Sequence, residues 1–400
     1  MVSIKLQIFL VVCITISIFS SCEEIIPEAP AENELLDGPA ENLSHAQQKQ
    51  FLNGDIAFND EVFSSLDGLG PMFVANSCGS CHPGDGKGHP FTTLTRFGQT
   101  SPNTSPDFSI GGPQLQNSAI PGFEPEKLPD GVPFMKFTPP SVTGLGFLAA
   151  LTDAQILQNV DSLDEDGDGI SGVPNYIVPP DYFEQKWFHQ PINGKIIGRF
   201  GKKAAAIDLL QQTASAYNQD MGVTSTFEPI DPFSQLSTDP EVSDQTIRDV
   251  VFYLRTLKAP IPRAEKESRT LRGKQLFTDI QCTSCHIPEW TTPESDIDAL
   301  SNKTFYPYTD LLLHDMGPGL DDGATEGSAE TYEWRTPPLW GLGLAPNSQG
   351  GSFFLMHDGR ARSIEEAIIL HGGEAENSKN LFISLTDSDK EAIITFLESL

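Results

Sequence analysis

Two copies of the pentapeptide Cys-x-x-Cys-His constrain this chain more than any other feature of its sequence. The first begins at Cys78 and the second at Cys282. In this pattern the two thiols can add to the vinyl groups of a porphyrin, and the histidine that follows becomes the proximal ligand of the iron. The sequence therefore predicts two covalent haems of the c type, attached through Cys78 and Cys81 with axial His82, and through Cys282 and Cys285 with axial His286.

A Cys-x-x-Cys pair also occurs in dithiol redox sites and in zinc sites. Neither alternative requires the trailing histidine, and the paired motifs of a zinc site usually lie closer in sequence than Cys81 and Cys282. The chain has six cysteines, of which Cys13 and Cys22 lie near the N-terminus and the other four fall inside the two motifs. This distribution favours haem attachment.

The N-terminus is typical of an exported lipoprotein. Lys5 precedes an apolar run over 8–19, which is shorter than the roughly 20 residues that span a bilayer, and Cys22 follows shortly after it. We predict a signal peptide over 1–21, a lipid on Cys22 and a flexible tether over 22–44. The alternative is an ordinary secretory signal with an incidental cysteine. Both alternatives predict export from the cytoplasm. With the lipid attached, we expect a periplasmic or outer-membrane lipoprotein, which can be exposed at the cell surface and contacts the membrane through its anchor only.

Charge restricts the partners. The chain has 25 Lys and Arg against 55 Asp and Glu, a net charge of −30 that disfavours nucleic acid because phosphates would be repelled. An acidic face can steer a basic partner, so a small electron-donor protein or cytochrome is expected. The charge can equally serve solubility alone.

The chain is longer than the usual 100–200 or so residues of one domain. Each haem motif opens a segment that ends in a helix with an apolar stripe, over 244–257 and 390–400. Pro260 and Pro262 cannot continue the first of these helices. We predict a mainly α protein with long ordered loops and two cytochrome c-like domains with one haem each, 45–263 and 264–400.

A second metal motif lies in the first domain, between residues 164 and 175. Counted from Asp164, acids occupy positions 1, 3 and 5 and a glycine occupies position 6, as in calcium-binding loops. Position 12 is Asn175 instead of the usual glutamate, so an acidic turn without an ion is the alternative. The predicted Ca²⁺ ligands are Asp164, Asp166, Asp168 and the carbonyl of Ile170.

The function depends on whether each iron has a sixth ligand, since an electron carrier usually fills both axial positions and a peroxidase leaves one open. Composition alone does not identify the sixth ligand. In the second domain the candidate side chains for this position are His314, His357, His371, Met316 and Met356.

Several further segments resemble one known family. They are Asp67-Gly68-Leu69-Gly70-Pro71 before the first haem motif, Gly198-Arg199-Phe200-Gly201, Asp220-Met221-Gly222, Leu313-His314-Asp315-Met316-Gly317, Trp334-Arg335-Thr336-Pro337-Pro338-Leu339-Trp340 and His357-Asp358-Gly359-Arg360. Together they are similar to the di-haem oxidoreductases described as peroxidases or thiol oxidoreductases, which are related to bacterial di-haem cytochrome c peroxidases and to MauG-like proteins.

The resemblance implies roles for residues around the second haem. Its distal ligand in the related peroxidases lies fourteen residues after the histidine of the His-Asp-Gly loop, and this position is His371 here. The alternative is a helix-terminal histidine that contacts the following turn. If His371 is the ligand, the resemblance implies that nearby polar side chains fix loops or haem propionates; these are His314, Arg335, His357 and Arg360.

The resemblance also makes the first haem the reactive one. In the related peroxidases an acid on a mobile loop lies over an open iron, and Asp220 with Gln212 resembles the distal acid and glutamine. A solvated loop residue is the alternative for Asp220. Lys202 stands where the family usually has a tryptophan that bridges the haems, and Trp187 and Trp340 are candidate substitutes. His89, Met72 and Met221 stay open as distal ligands.

These observations predict an exported di-haem c-type oxidoreductase. It would take electrons at the C-terminal haem and reduce peroxide, or carry out a related oxidation, at the N-terminal haem. The alternatives are a non-catalytic di-haem electron carrier and a surface protein that handles haem or metal without attaching it.

Overall fold

Helices dominate the part of the chain that the computed structural model describes, residues 30–400. This confirms the predicted mainly α class. The helix predicted over 244–257 begins and ends within a residue of the prediction, and the last helix contains most of 390–400. The helices are α1 His45–Asp55, α2 Cys78–Cys81, α3 Leu145–Ala150, α4 Asp153–Leu157, α5 Leu209–Met221, α6 Asp244–Thr256, α7 Ser268–Asp279, α8 Ala345–Ser348, α9 Ile364–Ile369, α10 Glu376–Ser384 and α11 Asp387–Ser399.

The sheets in residues 30–400 are two-stranded antiparallel ribbons. A two-stranded ribbon is marginally stable alone, so these ribbons fix the long loops instead of forming a core. Their pairs are β1 Met72–Phe73 with β3 Ser118–Ala119, β2 Leu94–Phe97 with β4 Phe134–Phe137, β5 Tyr176–Ile177 with β6 Ile196–Ile197, β7 Trp290–Thr291 with β8 Thr304–Phe305, and β9 Leu313–Asp315 with β10 Glu333–Arg335.

The same helix crossing occurs twice. In the first half α1 packs on α6, and in the second half α7 packs on α11. A Cβ at Gly54 would overlap the carbonyl oxygen of Asp249, and a Cβ at Gly273 would overlap that of Ala392. Glycine is therefore needed at both crossings, since only its lack of a side chain lets the two backbones approach so closely. Each crossing sets the wall behind one haem motif.

The core has two main parts. One cluster lies within the C-terminal half and includes Phe277, Phe382 and Phe396. The larger cluster joins both halves, because Phe58 and Leu254 belong to the same buried cluster as residues of the second half such as Trp290, Phe305 and Trp340. Residues 36–400 form one compact unit, and the boundary between 263 and 264 stays a prediction.

The N-terminal predictions fall mostly outside the described residues. The signal peptide over 1–21, the lipid site Cys22 and the tether as far as residue 29 lie there. The tether prediction is wrong for residues 36–44. Leu36, Ala40 and Leu43 are buried, and the Ala40 amide donates a 2.7 Å hydrogen bond to the Thr256 carbonyl at the end of α6. Apolar side chains spaced along a Pro-rich segment were enough to hold it against the protein. Among residues 30–400 we find no helix with the length and apolar character to cross a membrane.

Candidate functional site

Both Cys-x-x-Cys-His motifs line one continuous interior cavity. The four thiols are not joined in disulfides, and burial raises the pKa of the Cys78 thiol to about 12. The walls around them are largely apolar, as suits a flat macrocycle. Apolar and aromatic side chains of the lining include Phe58, Leu148, Leu254, Phe277, Ile280, Trp340, Leu355, Phe382 and Leu397.

The first motif presents its histidine in a defined tautomer. The short helix α2 is capped by the Ser77 side chain, and the His82 amide closes the turn on the Cys78 carbonyl at 2.9 Å. Nδ1 of His82 lies 2.8 Å from the Pro140 carbonyl oxygen. Because a carbonyl only accepts, Nδ1 carries the proton and Nε2 keeps a free lone pair. An imidazole held in this way is suited to ligate iron.

The second motif repeats this geometry. A 3₁₀ turn at Cys282–Ser284 brings the His286 amide to 3.0 Å from the Cys282 carbonyl. Nδ1 of His286 donates to the Tyr308 carbonyl at 2.9 Å. Burial is the main cause that lowers the pKa of both His82 and His286 to about 4, so both are neutral, as metal ligands must be.

His371 lies in the same cavity, just after α9. Its Nδ1 donates to the Ala367 carbonyl at 2.7 Å, which again leaves Nε2 with a free lone pair. Burial lowers its pKa. The pKa of His286 is lowered first by burial and also by the charge of His371, which places the two imidazoles within electrostatic reach of each other. This arrangement brings together the predicted ligand pair of the second haem.

The other two histidines of the second half are already engaged. Nε2 of His314 lies 2.7 Å from Asp310, and its Nδ1 lies 2.6 Å from Glu374 and 3.6 Å from the Cys285 sulfur. Despite its burial, the Asp310 carboxylate and its hydrogen bond hold the pKa of His314 well above the usual range. A protonated histidine has no lone pair for iron, so His314 acts by fixing the wall next to Cys285.

His357 stacks flat on Trp334, with 3.6 Å between ring centroids, and its Nε2 contacts Asp322 at 3.0 Å. It lines the cavity as a wall residue. Arg335 also lines the cavity, where its Nε donates to the Gly201 carbonyl at 2.8 Å. Arg360 is absent from the lining; it clamps a loop instead, through Asp358 at 2.8 Å and the Gly319 carbonyl at 3.0 Å. Of the two roles expected of Arg360, these contacts correspond to the fixing of a loop, outside the cavity lining.

Asp220 faces the first motif. It lies in the last turn of α5, on the same helix face as Gln212 and Ala216, and all three line the cavity. Burial raises the pKa of Asp220 to about 6, and a 2.5 Å hydrogen bond from Gln114 opposes this rise. The expected mobile loop is wrong for this chain, because α5 continues to Met221 and the Val74 amide holds the Asp220 carbonyl at 2.7 Å.

Several open candidates can now be placed. His89 and Met72 do not line the cavity, whereas Met221 does and is buried. The Trp187 side chain is 75% exposed and lies away from the lining, but Trp340 and Trp334 both line the cavity. Of the two candidate aromatic relays, the tertiary structure thus favours Trp340.

The acidic loop differs in detail from the prediction. Carboxylate oxygens of Asp161, Asp164 and Asp166 lie within 4.8 Å of one another, so Asp161 joins the group and Asp168 does not. The Asp168 carboxylate instead accepts a hydrogen bond from the Ile170 amide at 2.9 Å. The Ile170 side chain lines the cavity.

Sequence reasoning missed the backbone carbonyls of Pro140 and Tyr308 and the side chain of Gln114. These groups orient the two proximal histidines and Asp220, but they lie 58, 22 and 106 residues from their partners. The Cys-x-x-Cys-His pattern carries no signal for them, because a carbonyl acceptor can belong to any residue type.

No curated protein matches the sequence. Among solved structures, hydrazine synthase from Kuenenia stuttgartiensis shares 14% identity over 94% of this chain and 98% of its own, with a TM-score of 0.35. A MauG-like protein associated with microbial copper homeostasis shares 15% identity over 94% of this chain and 95% of its own, with a TM-score of 0.43. The family described as "Di-haem oxidoreductase, putative peroxidase" matches over residues 132–237 and 230–400. On that match, this chain belongs to the di-haem oxidoreductase family.

Proposed function

We propose that this protein is a di-haem peroxidase-type oxidoreductase that takes electrons at the C-terminal site and reduces peroxide at the N-terminal site. One observation carries the proposal. The second motif faces another imidazole, His371, whereas the first motif faces a carboxylate of raised pKa, Asp220. A site with two imidazoles suits electron transfer, and a site with one imidazole and an acid suits the binding and cleavage of peroxide.

Haem, when bound, would supply an iron that exchanges single electrons and binds peroxide. The protein would supply the rest. His82 and His286 hold the proximal positions as neutral imidazoles, and the four motif cysteines provide the thiols for covalent attachment. Asp220 would move the proton of peroxide from the inner to the outer oxygen, held in place by Gln114 and by the rigid end of α5. Gln212 lies two turns earlier on the same face and would orient the peroxide.

The second candidate is a non-catalytic electron carrier in which both irons have six ligands. The observation that favours it is Met221, a buried thioether that lines the cavity on the same helix as Asp220. A methionine ligand at the first site would close the position that peroxide needs.

Spectra and turnover separate the two candidates. We expect the resting protein to show one high-spin and one low-spin haem, with cyanide binding at the high-spin haem only, and turnover of peroxide with a reduced cytochrome as donor. The matched variant Met221→Leu should keep this turnover. Two low-spin haems that ignore cyanide, together with a new cyanide-binding site in Met221→Leu, would establish the carrier. A sample whose mass lacks two covalent haems would contradict both.

Export, lipidation at Cys22 and docking of a small donor protein or cytochrome belong to the same proposal. Covalent c-type haem is assembled outside the cytoplasm, and the N-terminal sequence fits that route. Attachment of a lipid would be checked by the mass of the N-terminal peptide of the mature protein, with Cys22→Ser as the control.

We further propose a Ca²⁺ ion at the acidic loop, with Asp161 in place of Asp168 among the predicted carboxylate ligands. The proximity of three carboxylates supports it. The loop is joined to the second site, because the Ser171 hydroxyl donates to Glu374 at 2.6 Å, and Glu374 contacts His314. Calcium should therefore raise the melting temperature of the protein, and Asp161→Asn should reduce that rise. No difference between calcium and a chelator would exclude the site.

A further inference from the structure

Four cationic side chains, Lys87, Lys202, Arg335 and Lys379, line the cavity of a protein whose net charge is −30. Lys379 is paired with Glu376 at 2.5 Å, which leaves the other three without an ion pair within residues 30–400. Among the cavity-lining residues in the described part of the chain, Asp220 is the only acid, and it is occupied by Gln114. A buried charge without a counter-charge is strongly unfavourable. The cavity therefore has the electrostatics of a site for an anion.

The neighbouring lysine shows what a buried ammonium requires in this protein. Nζ of Lys203 donates to the carbonyls of Glu330, Thr331 and Glu333 at 3.0, 3.0 and 2.6 Å and lies 4.0 Å from the centroid of the Trp334 ring. Lys202 points to the cavity side, and within residues 30–400 its Nζ has no hydrogen bond or ion pair. The same is true of Lys87. Both ammonium groups thus lack a partner among residues 30–400 and are available to one outside this range.

The three cations form one cluster. The Arg335 amide donates to the Lys202 carbonyl at 3.0 Å, and its guanidinium holds the preceding Gly201 carbonyl. Burial is the main cause that lowers the pKa of Lys202. The charges of Lys87 and Arg335 lower it further, and the charge of Asp358 partly opposes them. Three like charges this close repel one another, so an anion with more than one negative group is the partner that stabilises them together.

The cluster also spans the two motifs. The charge of Lys202 acts on His82 of the first motif. Arg335 interacts with Asp310, which is bonded to His314, and His314 contacts the Cys285 sulfur of the second motif. The cluster therefore lies within electrostatic reach of groups at both sites.

We propose that Lys87, Lys202 and Arg335 bind the carboxylates of the two porphyrins, with Lys202 as the cation shared between them. This rests on the proposed function, since it assumes a haem at each motif. At the place where the family usually has an aromatic bridge, this chain thus couples its two haems through a shared charge. Each porphyrin carries two propionate carboxylates, so the pair supplies the multiple negative groups that the cluster requires.

The test compares Lys202→Met with Lys202→Arg in the haem-loaded protein. A nearby cation favours the reduced iron, whose charge is lower, so its loss should lower the midpoint potentials of both haems. Lys202→Arg keeps the charge and should leave both midpoint potentials near their wild-type values. The exposed Lys136 provides the matched control, Lys136→Met, which removes the same charge outside the cavity lining and should leave both potentials unchanged. The vibrational bands of the porphyrin carboxylates should shift in Lys202→Met only.

Three results would overturn the inference while leaving the proposed function intact, provided that two covalent haems are present by mass. These are unchanged potentials in Lys202→Met, a shift at one haem alone, or unshifted carboxylate bands. A fourth is a change of the wild-type potentials on addition of inorganic phosphate that Lys202→Met abolishes, because the cluster would then bind a free anion. A protein without haem would refute the proposed function itself.

Discussion

The two Cys-x-x-Cys-His sites share their local chemistry and differ in what lies opposite. In both, the histidine amide closes on the first cysteine and Nδ1 donates to a distant carbonyl, of Pro140 in one and Tyr308 in the other. After burial and the carbonyl bond, the group that most affects the pKa of His82 is Lys202, whereas for His286 it is His371. The surroundings of the two motif histidines are thus alike, and the two sites differ in the side chains that lie opposite these histidines.

The walls differ because the chain builds them from different elements. At the first site a helix of thirteen residues, α5, aligns Gln212 and Asp220 along one face. At the second site the short helix α9 ends directly before His371, whose ring turns back to the Ala367 carbonyl. A regular helix holds a carboxylate at a fixed position without filling the cavity, and a helix end lets an imidazole enter it.

The largest effect should come from removing the thiols of one site. Cys78→Ala with Cys81→Ala should leave one haem instead of two, and peroxide turnover should be lost because the open site is gone. The mass of the mature protein and its haem absorbance measure this. The matched double variant Cys282→Ala with Cys285→Ala should also lose turnover but keep the cyanide-binding haem. If the first double variant kept full turnover, the assignment of the two sites would be reversed.

Asp220→Asn should have the second largest effect on peroxide turnover. The amide has nearly the same shape but cannot accept the proton of peroxide, so kcat should fall by about 10²–10⁴-fold. Both haem spectra should be retained, which distinguishes lost proton transfer from a damaged site. Asp130→Asn, at an exposed position, is the control and should be unchanged. Undiminished turnover in Asp220→Asn would remove this residue from the reaction.

His371→Met sharpens the comparison from the other side. A thioether stabilises the reduced iron relative to an imidazole, so the midpoint potential of the second haem should rise while that of the first stays unchanged. Turnover should fall less than in Asp220→Asn, because His371 does not touch the peroxide. Redox titration measures both potentials, with the exposed His45→Gln as the control. An unchanged low-spin spectrum and an unchanged potential would show that His371 is not a ligand.

The pH dependence should be the smallest and most specific difference. Asp220 must be ionised to accept a proton, and burial raises its pKa to about 6. Turnover should therefore be constant above this pH and decrease as the pH falls through about 6. Asp220→Asn should abolish this decrease at the first site, and the spectrum of the second site should not change over the same range. A profile that is identical in the wild type and in Asp220→Asn would assign the titration to another group.

The sequence predicted the fold class and the proximal halves of both sites. Covalent chemistry is local: two thiols and a histidine within five residues are sufficient to define an attachment point. The apolar stripes of α6 and α11 were equally readable, because helical periodicity is a property of neighbouring residues. An apolar residue on a helix is not buried in every case, since Leu271 of α7 is 52% exposed.

What lies opposite each motif across the cavity was decided by tertiary structure. No local sequence pattern identifies His371, Asp220 or Lys202. Their surroundings come from residues distant in sequence, such as Gln114 beside Asp220 and Arg335 beside Lys202. The sequence by itself predicted two motifs for haem attachment and the helices that surround them. Only the folded chain decided which motif faces an imidazole and which an acid, because the distance between side chains, their burial and their hydrogen-bond partners exist only after long-range packing.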